Sequence, residues 1–282
     1  MDMVNELAHF LVEQNVLTHI YSGVSVVKVV DQQKGFELAP NILSLIVDKK
    51  SVLYLSGGNT PKELYSKLAR EESVVPGAVG MVDERYGLKL HENSNEKMIR
   101  DTGFLRYLEM LDIPFYPILQ AGLSREETAR EYDAKLRSLQ STFPKHIGIL
   151  GIGADGHIAG IPAEDQKSPL RPGFAKATSG RQGFAGQAKV KSQKSDIYNT
   201  TDLVVEYNDE SGRYGERVTM TFMGLTMMDI LLVLVFGSSK ARALELVFQD
   251  GSDPSSPEEV PGRFYKRPEI ARKTLMITDQ EI

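Results

Sequence analysis

Short apolar runs alternate with longer stretches of helical periodicity along this 282-residue chain. VLYL (Val52 to Leu55) precedes the amphipathic PKELYSKLAREE, and VGMV (Val79 to Val82) precedes a charged turn. IGILGIG leads from Ile147 into a glycine-rich stretch, ILLVLVF (Ile230 to Phe236) precedes SKARALELVF, and TLMITDQEI predicts a last short strand. Apolar runs of this length, separated by helix-length segments, predict parallel strands covered by helices. The expected fold is α/β, a Rossmann-like and mainly parallel sheet with helices on both faces.

No internal repeat interrupts that alternation, so residues 1–282 read as a single α/β domain. Two stretches depart from it. Gln166 to Ser195 is rich in Gly, Ala, Ser and Lys and contains no Asp or Glu, which predicts a mobile basic insertion. Asp250 to Pro268 is rich in turn residues. The stretch from Val218 to Phe236 is apolar enough to raise a membrane span, but it carries three threonines, a glycine and Asp229. Its continuous run, Ile230 to Phe236, is far short of the roughly 20 residues a span needs and fits a buried strand.

Composition narrows the function classes. Hydrophobic residues make up 41% and charged residues 25%, as in ordinary globular proteins. A net charge of −5 argues against a dedicated nucleic-acid binder. The chain has no cysteine, which removes thiolate nucleophiles and cysteine metal sites and suits a reducing cytosol. Its first residues, MDMVNELAHF, lack the basic start and apolar core of a secretory signal, so a cytoplasmic protein without membrane association is expected.

Gly151, Gly153 and Gly156 form a Gly-x-Gly-x-x-Gly pattern. A dinucleotide site needs a helix opening at the third glycine and an acidic residue about 20 positions on. Here HIAGIP follows, with Gly160 and Pro162 interrupting any helix, and the acid-free segment lies where the carboxylate would be. The nicotinamide reading is therefore rejected. LSGGNTPKEL is a stronger anion signal: Thr60 and Glu63 have capping-box spacing with Pro61 at the first helical position, directly after a strand and the Gly57-Gly58 turn. Backbone N–H groups of Ser56, Gly57, Gly58, Asn59 and Thr60 would then face an anion at the positive end of the helix dipole. The same pattern also fits a plain strand-to-helix turn, and no Gly-Lys-Ser/Thr of a nucleotide P-loop is present.

Asp83, Glu84 and Arg85 follow another apolar run, Asp155 and His157 a third, and Lys240 a fourth. In a parallel sheet these positions gather along the carboxyl edge, where ligands bind. His9, His19, His91 and His146 sit in ordinary helical or polar contexts. His157, two residues after Asp155, suits a histidine oriented by a carboxylate, and histidine titrates where a general base should. It lacks the partners of a metal ligand, and no Gly-x-Ser-x-Gly elbow offers an acyl-serine route.

Together, LSGGNTPKELY, VDERYGLKLHENSN, GIGADGHIA, RVTMT and FGSSKARAL resemble, in order, the 6-phosphogluconolactonase and glucosamine-6-phosphate deaminase superfamily. Arg85, the Ser94-Asn95 pair and Arg217 are lactonase-like, whereas Gly87-Leu88 and Ile158 are deaminase-like. Pro162 stands where deaminases carry a glutamate that works with the histidine, and HIAGIP is shorter than the corresponding lactonase stretch. The resemblance implies hydrolysis of a small phosphorylated sugar lactone, 6-phosphogluconolactone, to its acid, without metal or organic cofactor. By it, His157 activates water, Asp155 orients the imidazole, and Asp83 joins them in the catalytic group. Arg85, Arg217 and Lys240 hold the 6-phosphate with the Ser56 to Thr60 turn. A glucosamine-6-phosphate deaminase and a non-catalytic sugar-phosphate sensor are the alternatives on the same fold.

Overall fold

Where the sequence runs apolar, the chain forms strands buried along their whole length. The computed structural model describes residues 10–13, 16–162, 194–209, 215–249, 257 and 259–282. The expected basic insertion lies outside them, apart from its last two residues, so its expected mobility does too. The described strands are β1 (Leu17–Tyr21), β2 (Val24–Lys28), β3 (Ser51–Leu55), β4 (Ala78–Met81), β5 (Asp83–Arg85), β6 (Lys145–Gly151), β7 (Val204–Asp209), β8 (Gly215–Met220), β9 (Ile230–Val235) and β10 (Thr274–Thr278).

Seven of them form one sheet in the order β1-β2-β10-β9-β6-β3-β4. All neighbours pair in parallel except β1 with β2, a hairpin at one edge. β3, β9 and β10 are buried at every position, the continuous burial expected of parallel strands covered by helices. The flanking helices are α1 (Gln32–Ile46), α2 (Asn59–Glu71), α3 (Asn95–Asp101), α4 (Phe104–Met110), α5 (Arg125–Thr142), α6 (Lys194–Asn199), α7 (Phe222–Thr226), α8 (Ala241–Phe248) and α9 (Pro268–Ala271). The buried apolar residues make one continuous cluster from Leu11 to Ile277. No described helix is long and apolar enough to cross a membrane.

The α/β expectation therefore holds, with an addition. The acidic-basic triplet read as a turn is β5, a strand in its own right, and it pairs antiparallel with β8, which pairs antiparallel with β7. Val82 makes the junction. Its N–H donates to Leu55 O at 2.9 Å, and its carbonyl accepts from Met220 N at 2.9 Å, so the chain passes from one sheet to the other across a single residue.

A second correction concerns the start of α2. The helix begins at Asn59, not Pro61, with Gly58 (φ 107°) at the N-cap and no side-chain cap bond. Lys62 N donates to Gly58 O at 3.2 Å, so the Thr60-Glu63 box does not form. Gly58 reaches a backbone conformation open to glycine and starts the helix two residues earlier than a Thr60 cap would. A complete capping box does exist elsewhere, at Ser124 and Glu127 of α5.

From β3 the chain moves outward to the edge strand β4, whereas the next main-sheet strand after β6 is β9, on the opposite side. The loops leaving β3 and β6 therefore diverge above neighbouring strands. That reversal opens a crevice at the carboxyl edge of the sheet.

Candidate active site

The crevice is a cleft of about 790 Å³. It is lined by the turn after β3 (Ser56, Gly57, Gly58, Asn59, Thr60), by Asp83 and Arg85 of β5, by the loop after β6 including His157, by Arg217 of β8 and by Lys240. Every sequence-derived site residue thus meets in one place except Asp155, which reaches it through His157.

His157 Nδ1 lies 2.6 Å from Asp155 Oδ1, and the His157 N–H donates to the same oxygen at 3.3 Å. An ionised carboxylate only accepts, so Nδ1 carries the hydrogen and the lone pair of a neutral ring lies on Nε2. The turn that carries this pair is closed by Gly156 N to Gly153 O at 2.9 Å and Gly153 N to His157 O at 2.8 Å. The imidazole packs closely against Gly153: a Cβ there would lie 2.0 Å from Nδ1. The middle glycine of the pattern that suggests a dinucleotide is therefore explained by a side chain resting on the backbone, and no helix opens at Gly156 among the described residues.

Strand alternation sorts the acidic-basic triplet. Asp83 and Arg85 face the cleft, while Glu84 points the other way. Glu84 is fully buried and accepts from Arg85 N, Asn95 N, Glu96 N and Ser94 Oγ at 2.7 to 2.9 Å. Burial pushes its carboxyl above the usual range, against the four hydrogen bonds that pull it down. Its role is to tie the start of α3 to β5.

Asn95, quoted in the sequence but assigned no role there, results from that tie. Its Nδ2 donates to Asp83 O at 2.9 Å, and its Oδ1 accepts from Arg85 NH1 at 2.7 Å. Its amide also fills the space above Gly57, where a Cβ would meet Oδ1 at 2.0 Å. The Gly-Gly turn thus makes room for Asn95 as well as for the cleft. In the sequence Asn95 stood out only within the lactonase-like Ser94-Asn95 pair; in the structure Ser94 caps α3 by accepting from Lys97 N.

Arg217 pairs with Asp83 at 2.8 Å, both nearly buried. In register, Arg217 stands directly opposite Arg85. Like charges directly opposite repel, so each guanidinium is drawn aside, Arg217 diagonally to Asp83 and Arg85 to Asn95 and the Asn93 carbonyl at 2.9 Å. Lys240 Nζ donates to Ile152 O at 2.7 Å, at the root of the histidine loop. Burial holds its ammonium below the usual lysine range, and Asp155 opposes that shift.

Of the remaining described histidines, His146 and His19 depart from the helical or polar contexts expected of them, while His91 lies in a polar loop as expected. His146 stands near the start of β6, buried, with Nδ1 accepting from Tyr54 OH at 3.0 Å and Nε2 donating to Phe143 O at 3.0 Å. His19 lies in the edge strand β1, and His91 Nε2 meets Arg85 O at 3.0 Å.

Comparison with known proteins follows the same lines. Residues 37–170 match the family described as glucosamine-6-phosphate isomerases/6-phosphogluconolactonase. The 6-phosphogluconolactonase of Synechocystis sp. is 29% identical over 228 residues, covering 77% of this chain and 78% of the relative. That of Rhizobium meliloti is 26% identical over 208 residues, covering 73% and 76%. The structure of 6-phosphogluconolactonase from Plasmodium vivax superposes with a TM-score of 0.67 at 18% identity, covering 100% of this chain and 97% of the other, a likeness of fold. With its ordered motifs brought to one cleft on that fold, the chain is similar to the glucosamine-6-phosphate isomerase/6-phosphogluconolactonase family over residues 37–170.

Proposed function

We propose that the protein hydrolyses 6-phosphogluconolactone to 6-phosphogluconate, with His157 as general base. The observation that carries this reading is the pairing of His157 with Asp155 in the same cleft as three cations, two of them opposed arginines. An anion between Arg85 and Arg217 offsets their repulsion, which suits the phosphate of the substrate. Relatives that bear the name 6-phosphogluconolactonase over most of both chains support the same assignment.

The chemistry is a single hydrolysis. His157 Nε2 takes a proton from water as the water oxygen bonds to the lactone carbonyl, and the negative charge moves to the carbonyl oxygen. The tetrahedral species collapses, the carbonyl–ring-oxygen bond breaks, and the proton on Nε2 passes to the departing ring oxygen. Asp155 holds the tautomer throughout and stabilises the imidazolium while it exists. Arg85, Arg217, Lys240 and the Ser56–Thr60 turn bind the phosphate. Arg217 is kept in place by Asp83, which makes Asp83 the anchor of a cation; as a second proton acceptor it would first have to leave that ion pair.

Among the described residues that line the cleft, Asp83 is the one carboxylate, and Pro162, at the position of the deaminase glutamate, is buried with its carbonyl held by Tyr198 OH at 3.1 Å. This favours hydrolysis over deamination, which needs an acid beside the histidine.

The test uses lactone generated in situ, with the spontaneous rate subtracted. Wild-type protein should release acid above background, and His157→Ala should lose about 10²–10⁴-fold of that rate while substrate still binds. Ammonia from glucosamine 6-phosphate, dependent on His157, would move the assignment to the deaminase. Binding of sugar phosphate without turnover of either compound would make it a sensor.

A further inference from the structure

The loop that carries His157 is held by its carbonyls. On the side of the main sheet, Ile152 O accepts from Lys240 Nζ at 2.7 Å and Gly156 O from Gly262 N at 2.8 Å. Beyond the histidine, the second sheet takes over. Ala159 O accepts from Thr219 Oγ1 of β8 at 2.5 Å, and Gly160 O accepts from Tyr207 OH of β7. Thr219 and Tyr207 are both buried.

Those two carbonyls belong to the most constrained part of the loop. Ala159 (φ 51°) and Gly160 (φ 67°) are consecutive residues in the left-handed region, which disfavours a side-chain-bearing residue such as Ala159. A backbone in that state persists where its surroundings over-determine it. The turn has a consequence for the cleft. Gly160 is pressed against the Asp83–Arg217 pair so closely that a Cβ would lie 2.7 Å from Arg217 NH1 and 2.8 Å from Asp83 Oδ2. Between this turn and His157 stands Ile158, buried and joined to Ile161 by a backbone bond of 2.7 Å. No slack link separates the imidazole from the ion pair.

We propose that Thr219 and Tyr207 are positioning residues: by holding the Ala159 and Gly160 carbonyls they set the imidazole of His157 relative to the Asp83–Arg217 pair. The proposal rests on the hydrolase reading of the cleft. Neither side chain touches substrate under it, because both act through the loop. A buried hydroxyl that only satisfied a carbonyl would affect stability alone. A positioning hydroxyl acts on the rate of the chemical step, since about 1 Å of misplacement can cost on the order of 10²-fold.

The test compares Thr219→Val, which keeps the shape and loses the hydroxyl, with Thr219→Ser, which keeps the hydroxyl, and adds Tyr207→Phe. Thr219→Val and Tyr207→Phe should lower kcat for lactone hydrolysis about 10- to 100-fold with KM within about twofold. Thr219→Ser should recover most of the lost rate. In the ligand-free protein, the low-field proton of the His157–Asp155 hydrogen bond should shift or broaden in the first two variants and not in the third. Equal losses in Thr219→Val and Thr219→Ser, or a change confined to KM, would overturn the proposal. If wild-type protein hydrolyses no lactone, the hydrolase reading fails, and the imidazole resonance judges the positioning by itself. An unchanged resonance in Thr219→Val and Tyr207→Phe then overturns it. Should Thr219→Val not fold, the same two readouts on Tyr207→Phe decide.

Discussion

The seven-stranded and three-stranded sheets differ in what they bury. β3, β9 and β10 are buried at every residue with side chains that are almost all apolar, and they supply the platform. β5 and β8 are no less enclosed at the cleft, yet they bury Asp83, Glu84, Arg217 and Thr219. The first sheet draws its stability from apolar area removed from water. The second buries ionised and polar groups, a cost that must be met by pairing and hydrogen bonding. Asp83 with Arg217, and Glu84 with its four donors, meet it. Polar groups spent in that way are the ones on hand to order a site. The large sheet provides the ledge and the small one orients charge above it.

One pair of substitutions should separate these roles most strongly. Arg217→Met leaves Asp83 buried without its partner and should cost about 3–5 kcal/mol of stability, together with a marked loss of turnover. Leu53→Ala, in the fully buried middle of β3, should cost a comparable 2–5 kcal/mol, roughly, by leaving a cavity. Its kcat per folded molecule should stay near that of the wild type. Urea unfolding with kinetics on the same samples checks both. Equal kcat losses would mean that the large sheet is not merely a platform.

A smaller effect should appear in the pH dependence of stability. Burial pushes the His146 imidazole, stacked against Tyr54 at the root of β6, below its ordinary value of 6.5. As pH falls below about 6.5, the unfolded chain binds a proton at this histidine before the folded chain does. Folded stability should therefore decline by up to about 1.4 kcal/mol per pH unit until the folded group also titrates. His146→Gln keeps one acceptor and one donor and should flatten this part of the slope. Urea midpoints at pH 7.5 and 5.5 for both proteins give the comparison, and identical slopes would count against it.

The smallest contrast tests the two helix starts. Ser124→Ala removes a complete capping box and should cost about 1 kcal/mol. Thr60→Ala, at the start of α2, should leave stability nearly unchanged because Gly58 does the capping there without a side chain. A loss at Thr60 equal to that at Ser124 would restore the capping box expected from the Thr60-Glu63 spacing.

Apolar periodicity by itself determined the parallel sheet, its helices and the strand ends at which Gly57, Asp83, His157 and Lys240 lie. A fully buried strand needs an uninterrupted apolar run, so sequence and environment are tightly coupled there. The neighbouring Asp155 and His157 were legible for a related reason, since a carboxylate two residues away can reach an imidazole within one turn. β5 and β8 carried no such signal. Asp-Glu-Arg reads as a solvated turn until Ser94, Asn95 and Arg217, from 10 to 134 positions away in the chain, close around it. The strained Ala159–Gly160 turn was equally silent, because the hydroxyls that hold it come from Thr219 and Tyr207, 60 and 47 positions further on. Tertiary structure decided these features because the burial of a charge or a left-handed alanine is stable only once its distant partners have arrived.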